Sequence, residues 1–330
     1  MVSPWLRRHP LIGSITLVFT AILLLVWWRF QTDMETARNR ISQGSVLIET
    51  RCGPIEYQEA GAGVPLLAIH GSGGGYDQGM AFAAPLAKQG IRVIAMSRFG
   101  YLRTPMPTNS SAEAQADAHA CLLDALGIKQ AGVMGGSAGA PSALQMAIRH
   151  PDRVSALILL VPLAYRPPTQ TNSASPLSPW IENAMMTVIG SDFLFWAATH
   201  VARDQMIKVI FATPPELLAT AIPAERARIN VMLDDILPVS ARAAGLRSDT
   251  NVGKHLTPAR LELVLAPTLI ISSRDDGYGT YASAEYTASQ IKGAKFIGFD
   301  RGGHTWVGHN DKVMAAILEL LTPFNGQPKP

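Results

Sequence analysis

The chain has 330 residues, of which 48% are hydrophobic and only 16% are charged. This length suits one large domain with an insertion or two domains, and the apolar content suits a large core. A formal net charge of only +3 gives no electrostatic case for binding nucleic acid, so we predict no nucleic-acid partner. The two cysteines, Cys52 and Cys121, lack metal-site spacing, and a disulfide between them is expected only if the chain is exported.

The first predicted element is an uncharged apolar run, LIGSITLVFTAILLLVWW, over residues 11–28. A helix needs about 20 such residues to cross the hydrocarbon core of a bilayer. The run is longer than the apolar part of a cleaved signal peptide, which is the alternative interpretation. It ends in Trp27, Trp28 and Arg29, which suit a membrane interface. We therefore predict a retained single-pass anchor (residues 1–29) that contacts the lipid bilayer through residues 11–28.

The polar stretch 30–44 is predicted to be a linker between this anchor and the remaining chain. Basic residues lie on both sides of the apolar run, so their distribution does not choose an orientation. A short basic N-terminus usually stays inside the cell. We therefore expect the domain that follows the linker to be extracytoplasmic.

Beyond residue 45, short apolar strands alternate with helical patterns. A hairpin is predicted at Gly53–Pro54, and apolar strands are predicted at 64–71, 91–100, 129–136, 154–164, 266–276 and 294–300. The helical patterns between them predict an α/β fold with a mostly parallel sheet covered on both faces. Residues 165–262 contain helical patterns and prolines without a clear strand, so we predict a helical cap there. This cap divides the core into residues 45–164 and 263–330.

Ser137 occupies a glycine-rich turn, GGSAG, where a predicted strand ends and a helix begins. The sequence fits G-x-S-x-G, in which small neighbours relieve a crowded backbone and the serine hydroxyl stands clear of the sheet. The Ala138 N–H lies at the start of the helix, where unpaired amides favour a negative oxygen. A purely structural turn is the alternative. No dinucleotide or P-loop glycine motif is present.

A serine nucleophile needs a base, and the base needs an orienting acid. Asp275 and Asp276 follow one late strand, and His304 follows the next. Their order along the chain, serine then aspartate then histidine, is the hydrolase order. His309 is interpreted as a surface or helix-start residue.

Three segments together resemble the α/β-hydrolase superfamily, in particular its capped bacterial serine hydrolases. They are HGSGGG at 70–75, SRFGYLRTP at 97–105 and GGSAGA at 135–140. The resemblance extends over about residues 45–322 and implies the α/β-hydrolase fold. It also implies a triad of Ser137, Asp276 and His304, with no metal or organic cofactor. Within this family pattern Asp276 is the preferred acid and Asp275 is the alternative acid. If Asp275 is not the acid, it is expected to be a solvated or turn-capping residue.

The same resemblance implies roles for the loop at 70–75. The backbone N–H of Ser72, with that of Gly73, is expected to complete an oxyanion hole together with Ala138. His70 is expected to hold this loop by hydrogen bonds. Arg98 is expected to form an ion pair or packing contact that shapes a loop, as is Tyr101.

The sequence therefore predicts a serine hydrolase that cleaves an ester or related acyl bond of a small apolar substrate. The same triad also serves C–C bond hydrolysis, peptide cleavage or acyl transfer, because the fold does not choose among these reactions. A non-catalytic, membrane-tethered binding protein is a further alternative. Four aromatic residues of the predicted cap are expected to form mainly its own core, with one or two reaching the acyl pocket: Trp180, Phe193, Phe195 and Trp196.

Overall fold

The structure is a computed structural model that describes residues 10–168, 187 and 189–324. The chain divides into two compact units, one ending at Gln43 and the other beginning at Gly44. The first contains helix α1 (Pro10–Gln43), whose 34 residues give a length of about 51 Å. Within the described residues, this is the helix that is long and apolar enough to span a membrane.

The polar stretch predicted as a linker belongs to α1 as far as Gln43. Residues 30–43 contain neither glycine nor proline, so nothing in the local sequence ends the helix where the apolar run stops. Gly44 is the first helix-terminating residue after the span. The boundary between apolar and polar sequence therefore lies inside one helix.

The second unit is built on one sheet of eight strands in the order β1-β2-β4-β3-β5-β6-β7-β8. β1 pairs antiparallel with β2, β2 pairs antiparallel with β4, and the other neighbours are parallel. The predicted hairpin and strands are all present, and the last strand, at the edge of the sheet, is only partly buried. The strands are β1 (Val46–Thr50), β2 (Gly53–Ala60), β3 (Val64–Ile69), β4 (Ile91–Met96), β5 (Ala131–Gly136), β6 (Val154–Leu160), β7 (Thr268–Ser273) and β8 (Lys295–Phe299).

Helices cover both faces of the sheet, as the alternation of strands and helices predicts. They are α2 (Tyr76–Ala87), α3 (Ala112–Ala125), α4 (Ala140–Arg149), α10 (Thr280–Gln290) and α11 (Asn310–Leu321). Strand β3 shows that both faces of the sheet are buried. Leu67 belongs to a core cluster with α3, α4 and α10 on one face, and Leu66 belongs to a cluster with α2 and α11 on the other. A buried parallel strand therefore needs apolar residues at every position.

The insertion between β6 and β7 is helical in the part that the structure describes. Its helices are α5 (Asp192–Val201), α6 (Arg203–Ile210), α7 (Pro215–Thr220), α8 (Pro223–Asp234) and α9 (Ala243–Lys254). We call this insertion the cap, with the predicted bounds 165–262. Parallel strands place their carboxyl ends at one edge of the sheet, so the loops after β3, β5, β7 and β8 meet there.

Candidate active site

The serine turn lies between β5 and α4. Ser137 opens a short 3-10 turn (Ser137–Gly139) that leads directly into α4. Its φ of 47° lies in the left-handed region, which costs a non-glycine residue on the order of 1–3 kcal/mol. A Cβ on Gly139 would lie 2.6 Å from the carbonyl oxygen of His70, and one on Gly135 would also clash with its neighbours. The flanking glycines therefore permit the crowded turn that the motif predicts.

His304 follows β8 in a second 3-10 turn (Gly303–Thr305). Its Nε2 lies 3.0 Å from the Oγ of Ser137, and its side chain is largely buried. Gly303 has a φ of 61°, a backbone conformation that glycine adopts without steric cost. The two glycines before the histidine thus allow the chain to turn from the strand edge toward the serine.

Asp276 follows β7 and lies on the far side of the imidazole ring. Its Oδ2 is 2.8 Å from Nδ1 of His304, and the same oxygen accepts a short hydrogen bond from the Thr280 hydroxyl. Its Oδ1 accepts from the Tyr278 N–H at 2.9 Å. Burial alone would raise the pKa of Asp276, but the hydrogen bonds outweigh it and hold this pKa below its usual value. The ionised carboxylate accepts Nδ1–H and leaves Nε2 free to accept the serine proton.

The neighbouring aspartate does not contact the histidine ring. Asp275 accepts hydrogen bonds from the backbone N–H groups of Gly302 and Gly303, at 3.2 and 2.8 Å. This is the turn-capping role considered for it. His309 is also separate from the serine: its Nε2–H donates to the carbonyl oxygen of Arg301, and its ring stacks on Phe299.

Ser72 and Ala138 line the same cavity as Ser137. The loop after β3 lies directly against the serine, since a Cβ on Gly71 would be 3.2 Å from that of Ser137. Gly73 was predicted to contribute a further N–H to the oxyanion hole, and in the structure this N–H donates to the Tyr101 hydroxyl at 3.3 Å.

His70 holds the loop after β3 by hydrogen bonds, as expected. Its Nε2 accepts from the Arg98 N–H at 2.9 Å, and its Nδ1–H therefore donates to the carbonyl oxygen of Gly71 at 2.7 Å. Burial, reinforced by the nearby Arg98 charge, lowers the pKa of His70 well below its usual value. The ring is thus neutral, and both of its nitrogens serve the loop.

A cavity of about 370 Å³ opens above Ser137 and His304. Among the described residues that line it, the ionisable side chains are Asp249, Tyr278 and His304, and none is a lysine or arginine. Burial, with the neighbouring Asp276 charge, raises the pKa of Tyr278 to about 12, so its hydroxyl is neutral. The larger apolar residues of the lining include Phe82, Ile210, Phe211, Met232, Leu246 and Trp306.

The aromatic residues named from the cap sequence do not line this cavity where they are described. Phe195 and Trp196 are buried within the fold, and Phe193 is partly exposed. Trp180 lies outside the described residues. Among the described cap residues, the aromatic residue that lines the cavity is Phe211, which follows α6 directly, and the cap also supplies Met232 and Leu246. Helical spacing identified apolar cap residues but not which of them face the serine.

Sequence reasoning also missed Asp249, on α9, which pairs with Arg98. Arg98 was expected to form an ion pair, but no motif in the cap marks its partner. Among the described residues, no group of three or more histidine, cysteine, aspartate or glutamate side chains is arranged to hold a metal ion.

A sheet of this strand order, with a serine, a histidine and an aspartate hydrogen-bonded beyond its carboxyl ends, defines the class of α/β hydrolases. A family model for the alpha/beta hydrolase fold matches residues 64–307. The chain belongs to this family.

Related proteins of known sequence or structure are bacterial hydrolases. The 2-hydroxymuconate semialdehyde hydrolase of Pseudomonas sp. strain CF600 is 41% identical over 268 residues, covering 80% of this chain and 88% of its own. The 2-hydroxy-6-oxononadienedioate/2-hydroxy-6-oxononatrienedioate hydrolase 1 of Dechloromonas aromatica is 27% identical over 307 residues, or 88% and 98% of the two chains. A solved alpha/beta hydrolase fold protein from Nakamurella multipartita superposes with a TM-score of 0.70 at 28% identity, covering 86% of this chain and all of its own.

Proposed function

We propose that this protein is a serine hydrolase that cleaves an ester, or a related acyl bond, of a small and largely apolar substrate. The observation that carries the proposal is the continuous hydrogen-bonded chain from Ser137 through His304 to Asp276, with spacings of 3.0 and 2.8 Å, at the floor of a cavity. A nucleophile, a base and an orienting acid within hydrogen-bond reach form the arrangement that activates a serine hydroxyl.

In the proposed reaction the Ser137 oxygen attacks the substrate carbonyl carbon while Nε2 of His304 takes the hydroxyl proton. The carbonyl oxygen becomes an oxyanion, which the backbone N–H groups of Ser72 and Ala138 stabilise. Collapse of this intermediate expels the alcohol, which receives the proton from His304, and leaves an acyl-enzyme. Water then attacks the acyl-enzyme with the same base, releasing the acid and restoring Ser137. Asp276 stays ionised and stabilises the imidazolium ion in both steps.

The lining of the cavity favours a neutral acyl group. The relatives include a hydrolase named for a dienedioate, which carries two carboxylates, so hydrolysis of a C–C bond in such a compound is the second candidate. Carboxylates are usually recognised by arginine or lysine side chains. The described lining of the cavity offers no arginine or lysine side chain to pair with a carboxylate, and this supports the ester.

The two candidate functions are separable by turnover on matched substrates. We would measure kcat/KM for p-nitrophenyl esters of graded acyl length and for a 2-hydroxy-6-oxo-dienedioate, with Ser137→Ala as the control. We expect ester hydrolysis with a clear chain-length optimum and kcat/KM for the dienedioate at least about 100-fold lower, equivalent to roughly 2.7 kcal/mol of transition-state binding. A kcat/KM for the dienedioate higher than that for the esters would contradict the ester proposal and favour C–C bond hydrolysis.

We further propose that α1 is a retained membrane anchor and that the hydrolase unit faces an oxidising, extracytoplasmic compartment. The apolar residues of α1 support the anchor, and a disulfide between Cys52 and Cys121 supports the orientation. Full-length protein should remain in membranes through an alkaline carbonate wash. In extracts of freshly quenched cells, Cys52 and Cys121 should react with maleimide only after reduction. A mature N-terminus near residue 30 would identify a cleaved signal, and reduced thiols in freshly quenched cells would contradict the orientation.

A further inference from the structure

Asp249 on cap helix α9 makes a dense set of polar contacts with the hydrolase core. Its two carboxylate oxygens each accept from the Arg98 guanidinium at 2.7 Å. Oδ2 also accepts from the Tyr101 hydroxyl at 2.5 Å and from the Ser72 hydroxyl at 3.0 Å. The side chains of Asp249, Arg98 and Tyr101 are all buried. One carboxylate from the cap therefore receives four hydrogen bonds from three core residues.

The same group of residues holds the loop after β3, residue by residue. Arg98 donates through Nε to the carbonyl oxygen of His70 at 3.0 Å, and through Nη2 to that of Gly71 at 3.3 Å. The Asp249 carboxylate accepts a hydrogen bond from the Ser72 hydroxyl, and the Tyr101 hydroxyl accepts one from the Gly73 N–H. Residues 70–73, which we call the oxyanion loop, thus have a polar contact with this network at each position.

We propose that Asp249 is a positioning residue that fixes the oxyanion loop, so that the cap sets the placement of the Ser72 N–H beside the nucleophile. This inference rests on the proposed serine hydrolase function. An oxyanion donor is effective only when its N–H is already aimed at the developing charge, and loss of one such donor lowers turnover by about 10²–10³-fold. Displacement of the loop would keep the donor N–H but misdirect it, so turnover should fall by only part of that factor.

The charges of the network agree with a role beside an oxyanion. An unpaired carboxylate here would oppose negative charge in the transition state, but the bidentate Arg98 contact neutralises Asp249. Burial, with the adjacent Asp249 charge, raises the pKa of Tyr101 well above its usual value, so its hydroxyl stays protonated and donates. The network therefore holds the loop without adding net charge to the site.

If Asp249 only attached the cap to the core, its ion pair with Arg98 would be sufficient. The additional hydrogen bond to Ser72 distinguishes the two roles, because it joins the cap to the residue whose N–H is the proposed donor. Ser72→Ala removes this bond and keeps both the backbone N–H and the buried ion pair. Tyr101→Phe removes the hydroxyl that bridges Asp249 and Gly73 and keeps the ring.

The test compares ester hydrolysis with hydrolysis of the matched thionoester, in which sulfur replaces the carbonyl oxygen. Sulfur is a weak hydrogen-bond acceptor, so thionoester turnover depends little on the oxyanion donors. The variants are Ser72→Ala, Tyr101→Phe and Asp249→Asn, with Tyr57→Phe, on β2, as a matched control that touches none of the network. kcat, KM and thermal stability are measured for each full-length protein.

For Ser72→Ala and Tyr101→Phe we expect kcat for the ester to fall about tenfold, a fraction of the loss from removing a donor. KM should stay nearly constant, thionoester turnover should change much less, and Tyr57→Phe should match the wild type. Ser72→Ala should cost less in the Asp249→Asn background than in the wild type, because both changes weaken the same contact. If Asp249→Asn does not fold, the Ser72→Ala and Tyr101→Phe variants are sufficient to test the positioning role.

Equal losses on ester and thionoester, or unchanged ester kcat in both Ser72→Ala and Tyr101→Phe, would overturn the positioning role. Ser137→Ala separates this failure from failure of the proposed function. If Ser137→Ala is inactive and the network variants behave like the wild type, the hydrolase proposal stands and the role of Asp249 falls. If Ser137→Ala keeps wild-type activity, both proposals fail.

Discussion

Ser137 holds an unfavourable backbone conformation because its surroundings leave no relaxed alternative. Its carbonyl oxygen accepts from the Leu163 N–H at 3.0 Å, and glycines at 135 and 139 pack against neighbouring backbone and side chains. Strain of this kind persists only where the surrounding structure over-determines it, and it is common at active sites. The result is a serine oxygen fixed within hydrogen-bond reach of His304.

The two adjacent aspartates make different contacts, so we expect their asparagine variants to differ sharply. Asp276→Asn should lower kcat by about 10⁴-fold, because an amide in this position favours the wrong tautomer of His304. Asp275→Asn keeps an oxygen that accepts from Gly302 or Gly303, and a loss of no more than about tenfold is expected. Steady-state kinetics on one p-nitrophenyl ester measures both. A larger loss in Asp275→Asn would reverse the assignment.

At this scale, motifs predicted the serine, the aspartate and the histidine because each follows the end of a strand in a recognisable sequence. Asp249 could not be predicted in this way. It lies in a helix whose packing against the core depends on the folded cap, and nothing in the sequence around it indicates that Arg98 and Ser72 are its partners.

The elements that carry the site are joined to the rest of the fold by a few long-range contacts. Arg242, at the start of the cap segment leading into α9, is fully buried. It donates to the carbonyl oxygen of Gly74 and pairs with Asp77 at the start of α2. The cap is thus fastened to the segment after β3 through Arg242 as well as through Asp249. Sequence patterns predicted that the cap exists, while these contacts required its three-dimensional packing.

The disulfide fastens the β1–β2 turn to helix α3. It joins Cys52 to Cys121 across 69 residues, and closing a loop of that length stabilises a fold by about 4 kcal/mol in the chain-entropy description. The double variant Cys52→Ser with Cys121→Ser should lower the free energy of unfolding by an amount of this order and leave kcat nearly unchanged, since neither cysteine lines the cavity.

Thermal unfolding with and without reductant measures this effect. Reductant should lower the melting temperature of the wild type to that of the double variant and should not affect the double variant. Equal melting temperatures of oxidised wild type and double variant would show that the bridge does not stabilise the fold.

For the molecule as a whole, buried histidines make stability depend on pH. Burial, aided by the charges of Arg98 and His150, lowers the pKa of His119 to about 3. The ring contacts the Ser142 hydroxyl, which in turn donates to the carbonyl oxygen of Gly139 at the serine turn. Because the unfolded chain binds a proton near pH 6.5 and the folded chain does not, stability falls as pH decreases from that value toward 3.

His119→Gln should reduce this sensitivity to acid. A difference of one bound proton between the unfolded and folded chains changes the free energy of unfolding by about 1.4 kcal/mol per pH unit. The wild type should therefore lose about that much more stability per pH unit than the variant between about pH 6 and 4. Urea unfolding at several pH values gives the two slopes. Parallel slopes would show that His119 is not the buried neutral group.

Removal of the first unit tests whether α1 has any role beyond the proposed anchoring. A chain beginning at Gly44 keeps Ser45, whose hydroxyl donates to the buried carboxylate of Glu56. We expect this chain to be recovered without detergent and to hydrolyse a soluble ester with kcat/KM close to that of the full chain, since the triad lies wholly downstream. Activity restored only by adding back α1 would contradict a purely tethering role.

The central claim is that Ser137 is the nucleophile of a serine hydrolase, and covalent labelling of the full-length protein tests it most directly. A fluorophosphonate probe reacts with an activated serine, and mass spectrometry of the labelled peptides locates the modified residue. We predict stoichiometric labelling at Ser137, none in Ser137→Ala, and wild-type labelling in Ser289→Ala, which alters an exposed serine on α10. Absence of labelling in the folded wild type, or undiminished labelling of Ser137→Ala at another residue, would contradict the account.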